Sequence, residues 1–415
     1  MAVAVLQNDR VQWSRGYGVT DVTGVTPIHD RTVFQLGSIS KQFLAALVVA
    51  LAAEGKLSLD DAVARHLPQL VRVPETVRVR HLLTHTSGIR ELFQLPGALD
   101  AFDDLSRTRA ELMAAVWQAP VDFAAGTRWS YSNTNYTILA ALAESLTGKP
   151  YEDALADRFF TPLGLTSFRQ CHSVPRGGSE ALGHLWHRGR NIGAAPENME
   201  WIRGDGGLCG SAKDLAVWTH LLATGQAVSP THYSQMATRT RLASGAEVDY
   251  GFGLALVRPD GVAKVSHGGA MRGYSAQAAY YPERRQTVVV LTNRGDVRAD
   301  AIEREISRAV LGLATPIRPA IAQSATERSA YVATYDIGVF DIRVVDRDGS
   351  LWLEAPPPGP TTPLRYLGDG FFVSDVEPDG TSLQFTSGGS AVRLYMGAMH
   401  WYGTRRGAIV LGAGS

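Results

Sequence analysis

Three short stretches of this 415-residue chain carry residue types that do covalent chemistry when they meet. In Gly37-Ser38-Ile39-Ser40-Lys41 a serine precedes a lysine by three positions. At the start of a helix, positions i and i+3 share a face, which brings the Ser38 hydroxyl and the Lys41 amine within hydrogen-bond reach. The helix N-terminus favours negative charge developing there. A lysine buried at such a place loses the solvation of its ammonium, its pKa falls, and it becomes a base for the serine. Lys41 is one of only five lysines (41, 56, 149, 213 and 264) among 40 basic residues. The same spacing also suits a serine that merely caps a helix.

The second stretch is Trp129-Ser130-Tyr131-Ser132-Asn133-Thr134-Asn135, a loop that precedes a helix starting near Tyr136. A tyrosine near a lysine shuttles protons, and an asparagine amide holds a substrate carbonyl. In isolation, Tyr131-Ser132-Asn133 is equally a polar turn and helix cap. The third is Ser266-His267-Gly268-Gly269-Ala270, at the end of a strand. Gly268 and Gly269 let a substrate backbone lie against the strand edge, and the N–H groups of Ala270 and Ser38 make two oxyanion donors. A plain glycine-rich hairpin turn has the same composition.

Positioning these residues falls to elements that the hydrophobic pattern outlines. Residues 2–6 and 11–17 read as strands joined at Asn8-Asp9. A helix over Ser40–Glu54 is apolar all round and therefore buried, and Gly55 ends it. Residues 57–240 read as mainly helical, with loops at Leu95-Pro96-Gly97 and Arg176-Gly177-Gly178. From Tyr250 the period changes to two. Strands at 251–257, 262–267, 275–281 and 287–292, separated by Pro259-Asp260-Gly261, Gly268–Gly273 and Pro282-Glu283-Arg284, make an antiparallel meander. A helix with Ile302, Ile306, Val310 and Leu313 on one stripe closes the unit. This order predicts an α+β domain over 1–315, a helical region inserted into one antiparallel sheet. A linker over 316–330 and a small all-β barrel or sandwich over 331–415 follow, with Val373, Leu383, Phe385 and Leu394 as core.

Composition narrows the function. Apolar residues make up 45% and charged residues 19%, which excludes a disordered or fibrous chain. The 40 basic and 40 acidic residues cancel with no basic stripe, so neither nucleic acid nor an anionic membrane is an expected partner. The longest apolar run, Phe43 to Ala53, falls short of the ~20 residues of a membrane span. Two cysteines, Cys171 and Cys209, fit no metal motif and are expected as buried free thiols. His81 and His85 stand four apart, but position 82 is leucine rather than the glutamate of a zinc protease, so structural histidines around a tight turn are expected. His184 and His187 read as a strand edge. Neither a metal nor an organic cofactor is implied. Arg272 is a candidate partner for a substrate carboxylate, or a surface arginine.

Taken in chain order, the three motifs resemble the signature of penicillin-recognising serine enzymes. The sequence is similar to the serine β-lactamase and penicillin-binding-protein superfamily, in the branch of class C β-lactamases, DD-carboxypeptidases, D-aminopeptidases and related esterases. The likeness lies in Thr32-Val33-Phe34-Gln35-Leu36-Gly37-Ser38-Ile39-Ser40-Lys41-Gln42-Phe43, in His81-Leu82-Leu83-Thr84-His85-Thr86-Ser87-Gly88-Ile89 and in Tyr131-Ser132-Asn133, and spans about residues 2–313. The resemblance implies an acyl-enzyme route. Ser38 attacks, Lys41 and Tyr131 share the base work, Asn133 orients the substrate amide, and Asp205-Gly206-Gly207-Leu208 lines the pocket.

His267 stands where class C β-lactamases keep a second lysine, which points toward DD-peptidases, D-aminopeptidases and D-amino-acid amidases. The implied substrate is a small peptide or D-amino-acid derivative; the alternatives are a β-lactamase, a promiscuous esterase, or a penicillin-binding sensor that acylates and stops. Family members usually begin with a further helix and are usually periplasmic or secreted, whereas this sequence opens straight into a strand pattern, so a signal peptide is expected to be absent or trimmed and the compartment stays open. The C-terminal part resembles lipocalin-like β domains that gate the site, support the fold or make dimer contacts in some relatives.

Overall fold

A computed structural model describes residues 1–175, 179–313, 320–337, 340–356, 361–374, 381–396 and 399–406. The chain divides into two compact units, Met1–Leu313 and Ala314–Ser415. In the first, six antiparallel strands lie in the spatial order Ala255–Val257, Lys264–Met271, Tyr274–Tyr281, Gln286–Thr292, Ala2–Gln7, Arg10–Gly16. The first and last parts of this unit thus share one sheet, with Ala2 opposite Leu291, and the helical region is inserted between them. Val288 to Leu291 are each fully buried, because helices cover both faces of that strand. On one face Ala4, Leu6, Ala276 and Leu291 join the main core. There Phe43 of the Ser40–Ala53 helix stacks on Trp218 of the Ala212–Ala223 helix at 4.4 Å. On the other face Val3, Val5, Val288 and Val290 pack against the Ala299–Leu311 helix.

Several expectations shift. The strand expected to stop at residue 267 runs from Lys264 to Met271, so the glycine stretch is strand and only Arg272-Gly273 turns. Residues 251–254 are not strand; Gly253, at φ 65°, passes so close to Lys41 that a Cβ would lie 2.9 Å from the Lys41 carbonyl oxygen. On the closing helix Ile302 and Ile306 face the sheet, but Val310 is 42% exposed and polar Glu303 is buried instead. His184–His187 pairs with Arg190–Gly193 as a two-stranded ribbon.

Cys171 and Cys209 are not free thiols. They form a disulfide with Cα atoms 5.2 Å apart, buried where Arg169–Gln170 pairs with Leu208–Ser211. Two positions 38 apart carry no sequence pattern that marks a pair.

The second unit is a closed barrel of eight antiparallel strands from Ala333–Asp336 to Met399–Arg405, the last pairing with the first. Leu383, Phe385 and Leu394 face inward as expected, but Val373 does not: its neighbour Phe372 is the buried residue, a one-residue shift that exchanges the two faces of a strand. The expected linker contains a short helix, Ala325–Ser329, capped by Ser324. Prolines 316 and 319 of that linker, the loop expected at 176–178 and a turn that the sequence also suggests at Asp379-Gly380 lie outside the described residues. Among the described residues no helix is long and apolar enough to cross a membrane.

Candidate active site

Ser38 sits in a single 3-10 turn, Gly37–Ile39, that leads directly into the Ser40–Ala53 helix. Two neighbours hold this turn. The Leu36 N–H donates to the Leu208 carbonyl at 2.9 Å, and the Ser40 hydroxyl accepts from the Leu208 N–H at 3.1 Å. The glycine strand presses on the other side. A Cβ on Gly37, whose φ is 54°, would lie 2.8 Å from the Ala270 nitrogen, and one on Gly269 would lie 1.9 Å from the Leu36 oxygen. Only glycine permits this approach. The neighbouring strand pairs with Lys264–Met271 only as far as Ala255 opposite Ser266. Beyond that point the edge of His267–Met271 is open toward Ser38, with Ala270 exposed and Gly268 and Gly269 buried. The N–H groups of Ser38 and Ala270 therefore stand on adjoining backbones at one opening.

Lys41 is fully buried. Its ammonium donates to Ser38 Oγ at 3.0 Å, to Asn133 Oδ1 at 2.7 Å and to the Asp205 carbonyl at 2.7 Å, which uses its three protons. It also lies 4.8 Å from the Tyr131 ring centre and 5.6 Å from that of Tyr136. Burial lowers its pKa from 10.5 to about 8, with the Asp205 and Glu91 carboxylates opposing the fall. The Tyr131 hydroxyl bonds Ser38, and burial holds its phenol well above the ordinary value. Asp205 is pushed up to about 6 by its own burial, against the pull of Lys41.

The expected Ser38, Lys41, Tyr131, Asn133 and the strand His267–Ala270 thus come together, and the Tyr131 and His267 ring centres are 6.4 Å apart. Arg272, expected as a partner for a substrate carboxylate or as a surface arginine, has a partly exposed side chain. Its guanidinium pairs with Asp103 at 2.5 Å.

Three residues that the sequence did not assign to the site complete it, among them His85, expected only as a structural histidine. Buried Glu91 accepts from the Asn133 N–H at 2.5 Å and from its side-chain amide at 2.7 Å, and burial raises its pKa. Tyr250 reaches His267 Nε2 at 2.9 Å. His85 lies beneath Tyr131, ring centres 4.2 Å apart, while His81 instead accepts from the Arg78 N–H at the start of its own helix. Glu91 follows two residues after the His81–Ile89 motif and His85 lies within it, the one signal that was present. Among the described residues no group of three or more His, Cys, Asp or Glu is placed to hold a metal ion.

Known proteins resemble this chain in sequence and in fold. A D-aminopeptidase of Brucella canis is 29% identical over 330 residues, covering 78% of this chain and 61% of that protein. The chain thus spans about three fifths of the length of the curated relatives it matches. A D-stereospecific amidohydrolase from Streptomyces sp. superposes with a TM-score of 0.61 at 25% identity, covering 75% of this chain and 94% of that one. The octameric penicillin-binding protein homologue from Pyrococcus abyssi shares the fold, with a TM-score of 0.69 at 24% identity over 97% of this chain and 95% of that one. The model of the beta-lactamase family matches residues 1–312, and the chain belongs to that family.

Proposed function

We propose that this chain is a serine hydrolase that cleaves amide bonds of small peptides or D-amino-acid derivatives through an acyl-Ser38 intermediate. The observation that carries this reading is the fully buried Lys41 ammonium hydrogen-bonded to Ser38. In its neutral form Lys41 takes the Ser38 proton as Oγ attacks the substrate carbonyl. The oxyanion meets the N–H groups of Ser38 and Ala270, and the Asn133 amide orients the substrate. Because burial raises the Tyr131 phenol, it does not persist as phenolate. It gives its proton to the departing amine while receiving one from Lys41, so no net charge accumulates. Water then attacks the acyl ester by the same proton path in reverse.

The names of the curated relatives and of the amidohydrolase neighbour support a D-configured substrate. The Arg272–Asp103 pair favours an aminopeptidase or amidase over a carboxypeptidase, since the guanidinium already has a carboxylate. A panel of D-alanine amide, L-alanine amide, a D-Ala-D-Ala peptide, nitrocefin and p-nitrophenyl butyrate tests this, alongside labelling by a fluorescent penicillin. D-alanine amide should turn over fastest, and both turnover and label should vanish in Ser38→Ala. Preference for the L-amide would overturn the substrate class, and fast nitrocefin turnover would make it a β-lactamase. Lasting label without turnover would make it a sensor. Neither label nor turnover on any substrate would sink the mechanism.

A further inference from the structure

A line of buried hydrogen bonds joins the loop carrying Tyr131 to the strand carrying Ala270. The Ile89 N–H donates to Ser87 Oγ at 3.0 Å, and the Ser87 hydroxyl donates to Asn135 Oδ1 at 2.6 Å. That leaves the Asn135 amide nitrogen facing His85 Nδ1 at 3.4 Å. The Ser132 N–H also points at His85 Nδ1, from 3.1 Å. His85 Nε2 lies 3.3 Å from the Tyr250 oxygen, which lies 2.9 Å from His267 Nε2, and His267 Nδ1 lies 2.6 Å from the Gly268 carbonyl. His85 and Tyr250 are fully buried and His267 is 6% exposed.

The two ends fix the direction. A backbone N–H only donates, so His85 Nδ1 is an acceptor and its proton sits on Nε2, which donates to Tyr250. A carbonyl only accepts, so His267 carries its proton on Nδ1. A neutral His267 ring then leaves Nε2 as acceptor, and the Tyr250 hydroxyl is its donor. Every proton from Ser132 to Gly268 points the same way. A cationic His267 would instead reverse the Tyr250–His267 bond, so that Tyr250 accepts from both histidines and turns its own proton to the Tyr136 hydroxyl, the arrangement that the neutral ring is set against.

We propose that His85 and Tyr250 are positioning residues: a directed hydrogen-bond chain through them holds His267 as the neutral Nδ1–H ring and locks the Tyr131–Asn133 loop to the Gly268–Ala270 strand. Two further observations fit. His85 has φ 57°, a left-handed conformation that a non-glycine side chain adopts at a cost, and its ring is the surface on which Tyr131 stacks. The chain thus sets the proton donor on one side of Ser38 and the oxyanion strand on the other, while the cation that touches Ser38 is Lys41. His267 supplies shape and a fixed hydrogen bond where relatives place a second ammonium. The positioning role rests on the hydrolase reading; the protonation pattern does not.

Nitrogen NMR of the histidine side chains in the intact protein, at the pH of highest activity, reads the pattern directly. Signals are assigned by their loss in His267→Gln and His85→Gln. The expected result is His267 protonated on Nδ1 alone and His85 on Nε2 alone. An imidazolium signal, or an Nε2–H ring, at His267 overturns the proposal. Tyr250→Phe then removes the donor to His267 at nearly constant volume. It should lower kcat about ten- to hundred-fold with KM little changed, as expected when reacting groups lose their alignment. Wild-type kcat in that variant overturns the positioning role. If no substrate is turned over at all, the hydrolase reading fails and takes the positioning role with it, while the protonation pattern still stands or falls on the spectrum.

Discussion

Lys41 and Ser38 share a 3.0 Å hydrogen bond across a boundary: the lysine is fully buried, whereas the serine beside it still meets solvent. On the proposed mechanism this keeps the base where its charge is least favourable and the nucleophile where substrate can reach it. One turn of backbone achieves both, since Gly37–Ile39 faces the opening and the helix behind it runs into the core.

The pH dependence of catalysis follows from that burial. With a pKa lowered to about 8, only about a tenth of Lys41 is neutral at pH 7. Catalysis needs the neutral form, so kcat/KM should climb roughly tenfold from pH 6 to pH 7 and level off above about pH 9. Lys41→Arg keeps the charge but cannot give up its proton in this range, and it should lose about a thousandfold. Rates that stay level from pH 6 to 9, or an active arginine variant, would remove Lys41 as the base.

Glu91→Gln should separate two effects of one side chain. The carboxylate accepts both from the Asn133 N–H and from its amide, so a glutamine must turn its own N–H₂ toward one of these donors. Losing a buried hydrogen bond to a charged group costs about 1.5–3 kcal/mol, or about ten- to hundred-fold in kcat if Asn133 shifts. Glu91 also raises the Lys41 pKa, so its removal lets that pKa fall and the acid limb of the profile moves to lower pH. A fall in kcat with an unmoved limb would mean that Glu91 holds Asn133 without acting on Lys41.

What the sequence revealed of this site, and what it hid, divides by distance along the chain. Ser38 and Lys41 are three residues apart on one helix start, and the Tyr131-Ser132-Asn133 motif is local, so each can be read as a short motif, and the family resemblance of the motifs taken together singles them out. Glu91 reaches Asn133 across 42 residues, and His85 reaches Tyr250 across 165, with no local pattern to announce either contact. The glycine-rich end of the Lys264–Met271 strand reads as a turn because its composition is that of a turn. It stays extended because it pairs with Tyr274–Tyr281 and because Leu36 comes too close for any side chain. The barrel was legible as all-β with turns, while the exchange of Val373 for Phe372 shows how register decides a face that hydrophobicity alone leaves open.

Replacing both Cys171 and Cys209 by alanine should cost about 4 kcal/mol, the loop-closure value for a sequence separation of 38. The effect should reach the site as well. The Cys171 N–H donates to the Gly207 carbonyl at 2.8 Å, two residues from the Asp205 carbonyl that receives the Lys41 ammonium. Denaturant melts with and without a thiol reductant check the first point, and activity below the reduced melting range checks the second. An unchanged melt after confirmed reduction would show that the bridge adds nothing to stability.

The buried pair Lys264–Glu303 should behave as a stability element with no part in catalysis. Lys264 begins the strand that ends at Met271, but its ammonium turns to Glu303 on the Ala299–Leu311 helix, and the Tyr281 hydroxyl donates to the same carboxylate at 2.8 Å. Glu303 is fully buried and Lys264 only 8% exposed, so removing either partner strands a charge in the interior. Glu303→Leu or Lys264→Met alone should each cost about 3–5 kcal/mol in urea unfolding, whereas the double variant should return near the wild-type value or exceed it, because both desolvation penalties disappear together. Assayed well below its melting range, the double variant should keep its kcat. If it loses kcat while regaining stability, the pair must be acting through the two residues of strand that separate Lys264 from His267.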